Sequence, residues 1–512
     1  MTVRGLLPSR RVAALAAATA ALLFVAYPPA SLVLPSFVCL VPLLWWMEDA
    51  VHAGERRVFW PGYWFGVFVN GAVLYWMVVA LWHFTPLSLL GYIASLGVVL
   101  GPLWGALTLG VVRVRRRTGI PLWAVFPLLW TALEWLIAHL LDLRFPWLGL
   151  GTSLTRTPVL VQWADLAGAR GVTLWLAWAN VMVLLALRRR AWRPAAALGA
   201  SLALVVAYGV WRERTLVVRA ATTVAVVQPN VDYEEKRRNR NNDSLVLGLM
   251  EQTRVARQDT AVRLVVWPEA VVPDFFLRHP DWEAAIGRLA AELRTPLLVG
   301  GLDAVPGPDG VYVPFNAAFF FDTTGSGRRA PVYHKHYLVP IVERVPFVDP
   351  RWFGGLRYFG GFGVGETLPV YRVGDAGFGT LICYESAFED LPRRYRREGA
   401  DFLVNITNDS WYGRTAAPYQ HAAHLVMRAI ETRMGIARSA STGISQFVDP
   451  FGRTFQSTPL FVERVESRMV LTTDGRTLYV RWGDWVGLLV LVGAAACLVA
   501  TLIRTDRTGE AA

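Results

Sequence analysis

Three short stretches carry side chains that could work together as a nucleophile, a base and a fixed cation. Cys383 sits in Leu381-Ile382-Cys383-Tyr384-Glu385. The other two cysteines, Cys39 and Cys497, lie in long apolar runs, so Cys383 is the one thiol of the large polar segment and has no disulfide partner there. Glu269 closes Val265-Val266-Trp267-Pro268-Glu269, and Lys335 lies in Tyr333-His334-Lys335-His336-Tyr337-Leu338-Val339-Pro340, followed by Glu343. A thiol can attack a carbonyl once a carboxylate takes its proton, and an ammonium can stabilise the oxyanion that forms. Each residue alone has a plainer reading. Cys383 could be an inert core residue, Glu269 a charge at a helix start, and Lys335 a solvated lysine.

Side chains meant for one site have to be delivered by strand ends. Gly379–Ile382 reads as a short buried strand that puts Cys383 at its end, before a helix starting at Ser386 whose positive terminus would lower the thiol pKa. Proline after Trp267 ends another strand just before Glu269. Short β-branched runs at 223–227, 263–267, 296–300, 315–321, 402–405 and 445–448 read as further strands, and 242–258, 282–293, 386–398 and 419–438 as helices. The result is an α/β domain. Residues 348–368 hold Trp352, Phe353, Tyr358, Phe359 and Phe362 among six glycines, which reads as an apolar loop suited to lipid contact or to acting as a lid.

The rest of the chain is far more apolar. Hydrophobic residues make up 54% of the 512 and mean hydropathy is +0.36, too high for a wholly soluble protein. Runs of membrane-crossing length lie at about 11–27, 30–47, 59–81, 87–112, 121–141, 166–187, 194–211 and 483–503. The charge of +12 does not point to nucleic acid, because the arginines flank these runs. Arg4, Arg10, Arg11, Arg56, Arg57, Arg113, Arg115 to Arg117, Arg188 to Arg190, Arg193, Arg504 and Arg507 fall on one side if the eight spans alternate; the opposite short connections carry only Arg144, Arg156 and Arg170. This positive-inside pattern places both termini in the cytoplasm and the polar segment outside it. The division is then 1–212 for spans one to seven, 213–480 for the catalytic domain, and 481–512 for span eight and a tail. The first run reads as an uncleaved anchor. Glu134, inside a span, needs a partner, a cavity or a proton.

The ordered motifs Trp-Pro-Glu269, His-Lys335-x-x-Leu-Val-Pro and Ile-Cys383-Tyr-Glu resemble the nitrilase superfamily. With the spans around them they resemble the apolipoprotein N-acyltransferase family. The likeness extends over Tyr75-Trp76, Glu134-Trp135, Phe145-Pro146-Trp147, Val227-Gln228-Pro229-Asn230, Asn405-Ile-Thr-Asn408-Asp409-Ser-Trp411-Tyr412-Gly413, Arg428-Ala-Ile-Glu431 and Thr442-Gly443-Ile444-Ser445. It departs from the family in lacking a tryptophan in 231–239 and in having Ser441 in place of asparagine. The resemblance implies a polytopic α-helical membrane protein of eight spans with an inserted extracytoplasmic α/β nitrilase-like αββα sandwich, in the bacterial cytoplasmic membrane. It implies that Glu269 is the general base, Cys383 the nucleophile that takes an acyl chain from a phospholipid, and Lys335 the oxyanion cation. Glu343 would support them, Tyr384 would offer its backbone N–H, and Glu385 would lie beside the site. The acceptor implied is the α-amino group of a diacylglyceryl-cysteine at an apolipoprotein N-terminus, reached by a ping-pong route without cofactor. Two other readings stand beside it: a membrane-tethered amidase or nitrilase that uses water, and a silent membrane scaffold. His334 with His336, and His421 with His424, are pairs without third and fourth ligands at metal spacing, so no metal is expected and both pairs read as surface or packing residues.

Overall fold

Residues 219–472 build two six-stranded sheets in the computed structural model, which describes residues 6–82, 88–231, 242–272, 274–307, 310–325, 330–344, 347 and 361–503. The first sheet contains β1 (Arg219–Gln228), β2 (Leu264–Val266), β3 (Leu297–Pro306), β4 (Tyr312–Phe321), β5 (Tyr333–His334) and β12 (Arg464–Thr472), in the order β12-β1-β2-β3-β4-β5. The second contains β6 (Tyr371–Val373), β7 (Ala376–Ile382), β8 (Phe402–Thr407), β9 (Gly435–Ala440), β10 (Gln446–Val448) and β11 (Thr454–Phe455), in sequence-reversed order. In each, a parallel trio forms the centre: β1, β2 and β3 in one, β7, β8 and β9 in the other. Buried on both faces, these strands read as near-continuous apolar runs, as parallel strands do.

The sheets pack face to face, with Ser439 Oγ on β9 donating to the carbonyls of Val227 (2.8 Å) and Val266 (3.3 Å). Helices Asn242–Ala256 and Pro280–Glu292 cover the first sheet, and Asp390–Arg397 and Ala417–Thr432 cover the second. The core under the first pair joins Val265, Trp267, Val299 and Phe319 to Leu249, Trp282 and Ile286, all buried. Trp267 keeps its indole N–H satisfied on Thr253 Oγ1 at 2.8 Å.

Three sequence expectations change here. The helix expected over 419–438 ends at Thr432, where Arg433 turns left-handed (φ +53°), and 435–440 is strand β9. The helix expected from Ser386 is a 3-10 turn, Cys383–Ala387, followed by a separate helix, Asp390–Arg397. Strands β6, β11 and β12 are additions. Trp352, Phe353, Tyr358 and Phe359 of the expected lid lie outside the described residues, as do 232–241.

The apolar part forms a second unit, residues 1–140, 145–214 and 482–512, while 141–144 cluster with residues 215–481. Among the described residues, helices Val33–His52 (broken at 37–40), Ser88–Thr118, Leu122–His139, Ala164–Arg189, Trp192–Thr215 and Trp485–Ile503 are long and apolar enough to cross a membrane. The pair Phe59–Val73 and Trp76–Trp82, bent by 62°, makes up to seven. Helix Arg10–Ala26 has 17 residues, the short end of what spans a bilayer. Arg170, expected in a connection, lies inside helix Ala164–Arg189, buried and 3.4 Å from Glu134. Glu134 also accepts from Trp130 Nε1 (2.9 Å), Leu150 N (2.9 Å) and Thr173 Oγ1 (2.8 Å), the partners its burial requires.

Candidate active site

The three chemistry-bearing residues do come from strand ends. Glu269 follows β2 through Trp267 and Pro268, Lys335 directly follows β5, and Cys383 directly follows β7. Glycine at 300 on β3 is what lets the Pro268–Glu269 turn lie flat on the neighbouring strand; a side chain there would collide with the Pro268 carbonyl. Cys383 opens its turn at φ +52°, a left-handed conformation that a non-glycine residue holds only when its surroundings enforce it.

Around Lys335, which is 1% exposed, two carboxylates and an amide close a ring of contacts. Lys335 Nζ stands 3.3 Å from Glu269 Oε1 and 2.9 Å from Glu343 Oε1. Asn316 Nδ2, from β4, donates to the same two oxygens at 2.7 and 2.9 Å. The second oxygens are taken by backbone, Glu269 Oε2 by Asn408 N (2.8 Å) and Glu343 Oε2 by Val339 N (2.8 Å). Burial disfavours the ammonium, yet Glu343 and then Glu269 outweigh it and hold the Lys335 pKa above its ordinary value. Lys335 is therefore a fixed cation.

The Cys383 thiol feels this cluster. Burial pushes its pKa well up, the Glu269 carboxylate adds to that, and the Lys335 ammonium and a hydrogen bond with Thr407 pull it back only in part. The lowering expected from a helix start does not occur, because the 3-10 turn offers one turn of dipole against the burial of the thiol. At rest Cys383 is held as the neutral thiol.

Glu385 ties the Cys383 turn to the lysine strand. Its Oε2 accepts from Ile382 N (2.6 Å) and Tyr333 Oη (2.7 Å), and its Oε1 from His336 N (2.6 Å) and Tyr337 N (3.2 Å). Burial outweighs these donors and raises its pKa to about 7. Tyr384 sends its hydroxyl to the Arg144 carbonyl at 2.6 Å. Phe362, the one described member of the aromatic loop, is half-buried, and its N–H donates to the Glu343 carbonyl (3.3 Å).

Several contributors escaped the sequence reading. Asn316 and Asn408 gave no signal apart from the Asn405-to-Gly413 motif that contains the latter. His421 was read as a packing residue without a carboxylate partner, but it is buried, with Nδ1 2.8 Å from Asp409 Oδ1. His334 Nε2 pairs with Asp303 Oδ2 at 2.9 Å, and its ring stacks on Phe315. His336 Nδ1 faces the His334 carbonyl at 2.9 Å, and burial lowers its pKa to about 4.

Residues 223–468 match the carbon-nitrogen hydrolase family, and residues 19–182 match the apolipoprotein N-acyltransferase N-terminal domain. The apolipoprotein N-acyltransferase of Geobacter metallireducens is 32% identical to the chain, over 95% of this chain and 94% of its own length. The chain belongs to the apolipoprotein N-acyltransferase family. The enzyme of that name from Bradyrhizobium diazoefficiens is 33% identical over 91% of this chain and 90% of its own. A solved amidase from Nesterenkonia sp. is 17% identical, covering 54% of this chain and 97% of its own, with a TM-score of 0.37. Membership makes the protein an acyltransferase of lipoprotein biosynthesis, with a carbon-nitrogen hydrolase fold in its polar part and several helices of membrane-spanning character.

Proposed function

We propose that Cys383 carries the acyl group in a two-step transfer from a phospholipid to the α-amino group of a diacylglyceryl-cysteine at an apolipoprotein N-terminus. Glu269 takes the thiol proton as Sγ attacks an ester carbonyl of the phospholipid. Lys335 and the Tyr384 N–H stabilise the tetrahedral oxyanion. Collapse breaks the ester C–O bond, the lysophospholipid leaves with the proton from Glu269, and a thioester remains. The incoming amine then attacks the thioester and Glu269 takes its proton. The C–S bond breaks, an amide forms, and the proton returns to the thiolate. Glu343 and Asn316 hold the base and the cation in register.

The observation that carries this reading is the Glu269–Lys335–Glu343–Asn316 ring beside a neutral, buried thiol. A thiol that is not ionised at rest needs a base close by at the moment of attack. A dry site also suits a thioester that must outlive water until the amine arrives. The apolar helices fit eight spans when Arg10–Ala26 and the bent pair are each counted as one. Together with the arginine asymmetry, this supports reading both termini as cytoplasmic and the catalytic unit, 213–480, as lying on the outer side of the bacterial cytoplasmic membrane.

The test is to incubate purified protein with phospholipid and measure the mass of the Cys383 peptide. An acyl adduct that disappears on adding a diacylated lipopeptide, with matching N-acylation, supports the reading, and Cys383→Ala forms none. Adduct decay to free fatty acid alone supports a hydrolase. No adduct under turnover conditions leaves only a silent scaffold.

A further inference from the structure

Behind the nucleophile lies a buried polar cluster that the steps above leave unused. His421, on helix Ala417–Thr432, Asp409, in the turn after β8, and Arg438, on β9, are each at most 1% exposed. His421 Nδ1 stands 2.8 Å from Asp409 Oδ1, and Nε2 stands 2.9 Å from the carbonyl oxygen of Cys383. Asp409 is ionised: burial opposes this, but Arg438 and His421 draw its pKa down to about 2. A carbonyl can only accept, so His421 Nε2 donates its hydrogen to the Cys383 oxygen. Arg438 Nη2 donates to Asp409 Oδ2 at 2.8 Å and stands 3.1 Å from His421 Nδ1. Asp409 is fixed further by Thr407 Oγ1 at 3.0 Å. Gly443 leaves room for the Asp409 side chain, because a methyl group there would overlap it.

The peptide bond between Cys383 and Tyr384 is trans, so its carbonyl and its N–H point in opposite directions. A donor that pins the oxygen therefore aims the hydrogen and polarises the amide. The need for such a hold is visible in the left-handed φ of Cys383. We propose that His421, set by Asp409 and Arg438, is a positioning residue for acyl transfer that aims and polarises the Tyr384 N–H toward the developing oxyanion. The inference rests on the reading that Cys383 takes the acyl group with that N–H as an oxyanion donor.

Rapid-quench acylation of the full-length protein by phospholipid separates the outcomes, since burst amplitude counts competent sites and the burst rate reports the chemical step. For His421→Ala we expect an amplitude like the wild type, a rate lowered about 10²-fold, the loss typical of one oxyanion donor, and an unchanged phospholipid KM. His421→Gln, whose amide can still donate to the Cys383 carbonyl but from a longer, less constrained side chain, should recover about tenfold of that rate. A reduced amplitude with an unchanged rate per site would make His421 merely structural and overturn the inference. So would wild-type rates in both variants. If His421→Ala does not fold, His421→Gln decides alone: slower by about tenfold supports the inference, unchanged overturns it. A wild-type enzyme that forms no acyl-Cys383 fails earlier, at the reading itself, and that failure is visible before any variant is compared.

Discussion

Replacing Lys335 by methionine removes the one cation from the ring while keeping most of the side-chain volume. Its Nζ stands 2.9 Å from Glu343 Oε1 and 3.3 Å from Glu269 Oε1. At an effective dielectric constant of about 20, each contact is worth roughly 5 kcal/mol of attraction, and removing them leaves two carboxylates sharing one amide donor. The ammonium's own desolvation offsets much of that, and broken buried pairs typically cost about 3–5 kcal/mol. The cost should depend on pH. In the variant one of the two carboxyls keeps a proton in the folded state, with a pKa above the unfolded value of about 4.3. The folded variant then binds more protons than the unfolded chain, so its stability falls as pH rises through that window, by up to ~1.4 kcal/mol per unit. In the wild type Lys335 stays protonated throughout this range. Thermal unfolding in detergent at pH 5 and pH 8 should show a Tm loss of roughly 6–20 °C at pH 8 that shrinks clearly at pH 5, together with loss of Cys383 acylation. An equal Tm loss at both pH values, or acylation that survives, would refute the account of the ring.

Asn316→Ala takes one donor from two carboxylates at once; it should destabilise by about 1–3 kcal/mol and slow Cys383 acylation, because Glu269 and Glu343 lose the amide that holds them in register. Glu385, with a folded pKa of about 7, favours the folded state below its unfolded pKa, and that advantage is lost as pH rises through 7; the difference between wild-type and Glu385→Gln unfolding free energies should change by about 3 kcal/mol between pH 4.5 and 7. Asp409 runs the other way: its stabilisation, about 2 kcal/mol, is present above its unfolded pKa and lost as pH falls from about 4 through 2. Asp409→Asn should therefore flatten the acid limb of the unfolding profile while lowering stability at neutral pH.

Strand-end delivery was legible for Glu269, because Pro268 ends its strand, and for Cys383, because an apolar run precedes it. What escaped has physical causes. Helix Ala417–Thr432 stops without a glycine at the turn, since Arg433 takes the left-handed conformation itself, so the apolar run into β9 looked like continued helix. The turn after Cys383 looked helical because Glu385 resembles a surface residue, whereas it points inward and gathers the N–H groups of Ile382, His336 and Tyr337. Strand β12 hides its alternation behind charged residues, as an edge strand can afford to. The thiol's shift was misjudged because a helix terminus is visible in sequence and burial is not. His421 and Asp409 are twelve residues apart across a turn, and only the tertiary fold makes them neighbours.

Strands β1 and β12 are antiparallel neighbours, with Arg219 facing Thr472 at the rim of the sheet. The chain thus arrives and departs within one strand spacing, about 5 Å, a gap that a few residues can bridge. The catalytic unit is accordingly a candidate for circular permutation: its natural ends could be joined and new ones opened at the exposed Gly374–Asp375 turn between β6 and β7. Such a ring-closed variant would forgo only the Leu141–Arg144 segment, and with it the carbonyl that receives the Tyr384 hydroxyl.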